Sequence, residues 1–144
     1  MSRAQKILVV DDDAPMREML ASLFESNGYE VDTAESAEGA LEKNREVEFD
    51  AILSDIRMPG KSGTELVGEL RKLRPQTPVV LMTAFGSIDS AVEAMRVGAL
   101  DYITKPFEPA AVQLTLERAL ERRVLEAENQ RLRSTSAVTN GCSR

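Results

Sequence analysis

At 144 residues and 42% hydrophobic content, the chain is sized for one domain with one ordinary core, and leaves no room for a second catalytic domain. A formal charge of -6 and a pI near 4.8 argue against direct nucleic-acid binding, which neutralises phosphates with a basic surface. Histidine is absent, so an internal imidazole base, nucleophile or metal ligand is excluded and chemistry falls to carboxylates, hydroxyls and ammonium groups.

The first element is the apolar run Ile7 to Val10, short enough for one buried strand, which ends in Asp11, Asp12 and Asp13. Carboxylates this close repel one another and become useful when a divalent cation sits among them. Pro15 then starts a helix carrying Met16, Met19, Leu20, Leu23 and Phe24 at helical spacing, and Asn27-Gly28 stops it. Tyr29 to Thr33 alternates as a second strand, and Ala37, Ala40 and Leu41 mark a weaker second helix. The third strand, Ala51 to Ser54, ends in Asp55, and Met58-Pro59-Gly60 breaks the chain into a loop. A third helix carries Leu66, Leu70 and Leu73, and Pro75 and Pro78 bracket the turn into Val79 to Met82, a strand ending in Thr83. Ala91, Val92, Met95 and Val97 predict a fourth helix ended by Gly98. Tyr102 to Thr104 predicts a fifth strand ending in Lys105, and a last helix begins near Pro109 and runs through Val112, Leu116, Ala119 and Leu120. Met16, Met19, Met82 and Met95 read as core filler, and Tyr102 reads either as core or as a mobile aromatic.

Five successive βα units predict an α/β fold, a doubly wound five-stranded parallel sheet in the order 2-1-3-4-5. That order brings the carboxyl ends of strands 1, 3, 4 and 5 around one crevice, with Asp11, Asp12, Asp55, Thr83 and Lys105 converging there. Asp12 and Asp55 suit a hard cation such as Mg2+, Asp55 can act as nucleophile toward an anionic phosphoryl donor, and Lys105 and Thr83 can bind phosphoryl oxygens.

Past Glu117 the helix is dense in Glu and Arg, with Val124, Leu125, Ala127 and Leu132 as a thin apolar stripe. Leu125 and Leu132 lie one heptad apart, so this extended C-terminal helix reads as a short two-stranded coiled coil, with a solvated single helix as the alternative. The expected division is a domain over 1–118, a coiled-coil-like linker over 119–133 and a polar, disordered tail over 134–144. Cys142, the single cysteine, lies in that tail, forms no internal disulfide and fits a reducing compartment. No apolar run approaches the ~20 residues that span a bilayer, and no signal-peptide stretch opens the chain, which predicts a cytoplasmic protein without membrane contact.

The acidic pair Asp11-Asp12, the stretch Ser54 to Gly60, Met82-Thr83-Ala84 and Lys105-Pro106-Phe107 together resemble the response-regulator receiver family of two-component signalling, over about residues 5 to 122. The resemblance implies a flavodoxin-like fold and Asp55 as the phosphoacceptor. It also implies that Asp11 and Asp12 hold Mg2+ with Asp55 and the Arg57 backbone carbonyl, that Thr83 is the switch hydroxyl, Tyr102 the switch aromatic and Lys105 the phosphoryl-binding lysine. The phosphoryl group would come from a partner histidine kinase. Activity would be limited to self-phosphorylation from a phosphodonor, with slow autodephosphorylation. A narrower resemblance, through Thr83 to Ser87, Ala91 to Met95, Gly98 to Tyr102 and Glu121 to Asn129, is to the receivers of NtrC-type transcriptional activators. It implies an ATPase and DNA-binding output module outside this chain, with a stand-alone receiver acting on a separate effector protein as the alternative, and homodimers through the C-terminal helix or the fourth-helix face.

The main rival is a magnesium-dependent aspartyl phosphatase of the haloacid dehalogenase kind, with Asp11 as nucleophile and Asp13 as acid. That motif wants Thr or Val where this chain has Pro15. A nucleotide-binding module would need a glycine-rich turn after the first strand, where this chain has acids.

Overall fold

A computed structural model describes residues 4–58, 60, 62–83, 88–105 and 108–121. The elements are β1 (Lys6–Val10), α1 (Ala14–Ser26), β2 (Glu30–Ala34), α2 (Ala37–Glu46), β3 (Ala51–Asp55), α3 (Gly63–Leu73), β4 (Val79–Thr83), α4 (Ile88–Val97) and β5 (Asp101–Thr104). A helix over 109–121, α5, completes the described chain. The strands are all parallel in the order β2-β1-β3-β4-β5, as the alternation of elements predicts.

Because side chains alternate along a strand, the inner strands are apolar at nearly every position and feed two cores. Leu8, Val10, Ile52 and Leu81 pack with Leu41 of α2 and Leu66 and Leu70 of α3. Ile7, Val9, Leu53, Val80 and Met82 pack on the other face with Leu20 and Phe24 of α1 and with Val112, Leu116, Ala119 and Leu120 of α5.

Local chemistry sets the element ends. Asn27 and Gly28 close α1, with Gly28 at φ 96° where an L side chain would be strained. The Tyr29 N–H donates to the Phe24 carbonyl and finishes that turn, so β2 begins at Glu30, one residue later than the alternation predicts. Ser62 and Glu65 form a reciprocal capping box at the start of α3, satisfying two amide groups the helix leaves open.

Three apolar positions, Met19, Val92 and Met95, depart from expectation. Met82 is fully buried and Met16 partly so, but Met19 and Met95 are 41% and 44% exposed. Val92 lies outward on α4, and Tyr102 is 41% exposed on β5, so Tyr102 is not core. Helical spacing marks one stripe of a helix, and α4 carries more apolar residues than that stripe can bury. Ala119 and Leu120 are buried, so packing continues past the boundary expected at 118. The linker stretch from 122 to 133, the tail, Cys142 and the motif residues Pro59, Ala84 to Ser87, Pro106 and Phe107 lie outside the described residues.

Candidate functional site

Asp55 and Thr83 are the last residues of their strands, Asp11 and Lys105 follow theirs by one, and backbone hydrogen bonds continue the ladder past the strand ends. The Asp11 N–H donates to Ala34 O at 3.1 Å, Ile56 N–H to Met82 O at 3.0 Å and Lys105 N–H to Thr83 O at 2.7 Å. The backbone at Asp11, after Asp55 and at Lys105 is thus tied to the neighbouring strand. Asp55 is the last residue of β3, paired in register with Met82, and Thr83 is paired with Thr104.

The carboxylates of Asp11, Asp12 and Asp55 offer oxygens all within 4.8 Å of one another. Asp11 is fully buried, Asp55 half-buried and Asp12 exposed. Lys105 reaches into this group, its Nζ 3.3 Å from Asp11 Oδ2 and 3.3 Å from Asp55 Oδ2. Asp11 Oδ1 accepts the Asp13 N–H at 2.9 Å, and the Asp11 carbonyl accepts Arg17 Nη1 at 2.7 Å. The Arg57 N–H lies 3.3 Å from Asp55 Oδ1, and the Ser54 hydroxyl donates to the Asp55 carbonyl at 3.0 Å. Thr83 is buried at the end of β4, and Tyr102 stands outward on the neighbouring strand.

Burial pushes the Asp11 carboxyl above its ordinary value, and the nearby Asp55 charge adds to this against the lowering effect of the Asp13 N–H and Lys105. For Lys105, burial alone would lower the ammonium, but Asp55 and Asp11 outweigh it and hold its pKa above the usual lysine value. At this spacing a pair of like charges costs roughly 3 kcal/mol at an effective dielectric near 20. Three carboxylates against one ammonium leave a formal charge of -2, which a divalent cation cancels. The donor set, all hard oxygens with one member open to solvent, fits magnesium rather than a soft metal.

The structure therefore brings together Asp11, Asp12, Asp55 and Lys105, with Thr83 at the end of the adjoining strand. Asp13 is elsewhere: it is the exposed N-cap of α1, lying outside the carboxylate group, which speaks against a phosphatase using Asp11 and Asp13 as a pair. Sequence reasoning missed Arg17 and Gly63. Arg17 stands in the first turn of α1, where the helix dipole disfavours a cation, and that misplacement was its signal. Gly63 opens α3 against the Asp55 carbonyl, where an added Cβ would come within 2.5 Å, and only a Ser-Gly helix start hints at it.

Comparison with known proteins agrees with this geometry. The family model described as the response regulator receiver domain matches residues 7–117. The regulatory protein AtoC of Escherichia coli is 38% identical over 132 residues, covering 92% of this chain and 29% of that protein. The transcriptional regulatory protein ZraR of Klebsiella oxytoca is 47% identical over 114 residues, covering 79% and 26%. Among solved structures, NtrX from Brucella abortus in complex with ADP superposes with a TM-score of 0.86 at 37% identity, covering 90% of this chain and 30% of that one. The chain thus spans less than a third of these relatives, and the narrower likeness to NtrC-type regulators holds with the broader one. A sheet whose first, third and fifth strands end in paired acids, a lone acid and a lysine, matched across nearly its whole folded length, places the chain in the response regulator receiver domain family.

Proposed function

We propose that Asp55 accepts a phosphoryl group from the phosphohistidine of a sensor kinase and that the phosphorylated chain controls a transcriptional output. The observation that carries this is the convergence of three carboxylates within 4.8 Å, bridged by Lys105 at 3.3 Å from two of them. One Asp55 oxygen forms the bond to phosphorus as the phosphorus–nitrogen bond breaks, and the donor imidazole leaves with the electron pair. Asp11, Asp12, Asp55 and the Arg57 carbonyl would hold Mg2+, which supplies the charge compensation that lets a carboxylate and a phosphoryl group approach. Lys105 turns from its carboxylate partners, Asp11 and Asp55, to pair with a phosphoryl oxygen, and Thr83 donates a hydrogen bond to another.

In our reading the signal leaves through α4, β5 and α5. Thr83 moves toward the phosphoryl group and Tyr102, now exposed on β5, turns into the vacated space, biasing an existing equilibrium. Val92, Met95 and Tyr102 leave apolar surface on α4 and β5, two elements that pack against each other, and a second copy could cover it. We set the receiver boundary after Leu120, because Ala119 and Leu120 are core, and assign residues 121–133 to the coiled-coil-like linker. The output module, an ATPase and DNA-binding unit, lies outside this chain, and a cytoplasmic location follows from the kinase partnership. Within the described residues no helix is long and apolar enough to cross a membrane.

Intact-mass analysis after mixing with magnesium and acetyl phosphate tests the proposal. A magnesium-dependent gain of one phosphoryl group that decays slowly supports it. Sustained turnover of phosphate esters would instead support the phosphatase.

A further inference from the structure

We infer that Arg17 is a positioning residue for the acidic cluster: by gripping the Asp11 carbonyl it fixes the Asp11–Asp12 peptide and aims the Asp12 carboxylate at the cation the cluster takes. This rests on reading Asp12 as a metal-holding residue, as proposed above. The bond from Arg17 Nη1 to Asp11 O is 2.7 Å, at the short end for a charge-assisted hydrogen bond. It spans six residues and ties the first turn of α1 back to the strand end that precedes it.

The remaining polar groups of Asp11 are held as well. Its N–H donates to Ala34 O, its Oδ1 accepts the Asp13 N–H and its Oδ2 faces Lys105. Asp12 sits between two anchored peptides, one fixed through the Asp11 carbonyl by Arg17 and the other through the Asp13 N–H by Asp11 Oδ1. The Asp12 side chain is itself exposed, so those peptides, rather than packing, fix the Cα–Cβ direction from which its carboxylate reaches the cluster. A partner that orients a metal-holding residue is worth about 10–100-fold in affinity at established sites.

A guanidinium beside an acidic cluster has a second effect of opposite sign, because its charge repels an incoming cation. The two roles give opposite outcomes when the arginine is removed. Loss of positioning weakens magnesium binding, whereas loss of a like charge strengthens it.

Magnesium titration of the 144-residue chain by calorimetry separates them, using wild type, Arg17→Ala, Asp12→Asn and the double variant. Arg17→Met, which keeps the apolar stem of the side chain, serves should the alanine variant not fold. We expect the Arg17 variants to bind magnesium at least threefold more weakly than wild type, and Arg17→Ala to add no further loss once Asp12 is Asn. A merely structural arginine would lower the metal-free unfolding midpoint and leave the affinity of the folded protein where it was. Unchanged or tighter binding in the Arg17 variants, with Asp12→Asn weakened, overturns this inference alone. Wild-type affinity in Asp12→Asn overturns the reading of Asp12 and the inference with it.

Discussion

The ammonium of Lys105 stands 3.3 Å from Asp55 Oδ2 and at the same distance from Asp11 Oδ2, so one cation bridges the two carboxylates nearest the floor of the site. Without it these acids face each other across a half-buried crevice. Lys105→Met should therefore lower metal-free stability by about 1–3 kcal/mol, less than a fully buried pair would lose because the lysine side chain is 25% exposed. Magnesium should compensate, binding more tightly to the variant than to wild type. Urea unfolding with and without magnesium measures both, and a variant as stable as wild type with no gain in affinity would contradict the bridge.

The raised pKa of Asp11 fixes the sign of a pH effect. Its ionised form is disfavoured in the folded state even with Lys105 nearby, so metal-free stability falls as pH rises from the ordinary carboxylate value of 3.8 through the raised value of Asp11. Asn at this position still accepts the Asp13 N–H and carries no charge. Asp11→Asn should raise the metal-free unfolding midpoint at pH 7, with the gap closing as pH falls through that window. A gap that widens on acidification would show the pair with Lys105 to be worth more than the burial it opposes.

Gly63 and Gly68 lie on the same helix and should respond in opposite ways to alanine. At Gly63 the new Cβ would come within 2.5 Å of the Asp55 carbonyl oxygen and 2.8 Å of the Ile56 Cα, backbone atoms that cannot step aside cheaply. At Gly68 it meets nothing within 4 Å. Gly68→Ala should gain about 0.5–1 kcal/mol from helix propensity and leave phosphorylation unchanged. Gly63→Ala should lose about 1–3 kcal/mol from overpacking and slow phosphoryl uptake, because the strain falls on Asp55, the proposed acceptor. Thermal melts beside a time course of phosphorylation decide this, and equal uptake rates in the two variants would count against it.

Thr83 is buried beside the site, and Tyr102 stands outward on the next strand. If Thr83 couples the two, Thr83→Ala should still be phosphorylated but should lose most of the chemical-shift response of residues 88–120. Equal responses in the variant and wild type would place the switch elsewhere.

Most of the architecture was legible because inner parallel strands bury both faces, so Ile7 to Val10, Ala51 to Leu53 and Val79 to Met82 appear as unbroken apolar runs, each followed by polar residues. The same ends named Asp11, Asp55 and Thr83. Edge and surface features were less legible. Met19, Val92 and Met95 follow helical spacing yet face outward, since periodicity reports a stripe and not what covers it. Tyr29 alternates with its neighbours but closes the turn after α1. Arg17 and Gly63 lie against the backbone of Asp11 and Asp55, and beyond a cation in a first helical turn and a Ser-Gly helix start nothing in the side-chain pattern encodes a contact to a carbonyl oxygen.

Chemical trapping of the acyl phosphate shows which residue accepts the phosphoryl group. The protein is incubated with magnesium and acetyl phosphate, reduced with borohydride, which converts an aspartyl phosphate to homoserine, and digested for peptide mass mapping. The account predicts homoserine at position 55 in wild type and no conversion in Asp55→Asn, whose amide is not a nucleophile while its shape preserves the fold. Conversion at Asp11, Asp12 or Asp13 instead, or labelling of Asp55→Asn at wild-type stoichiometry, would contradict it.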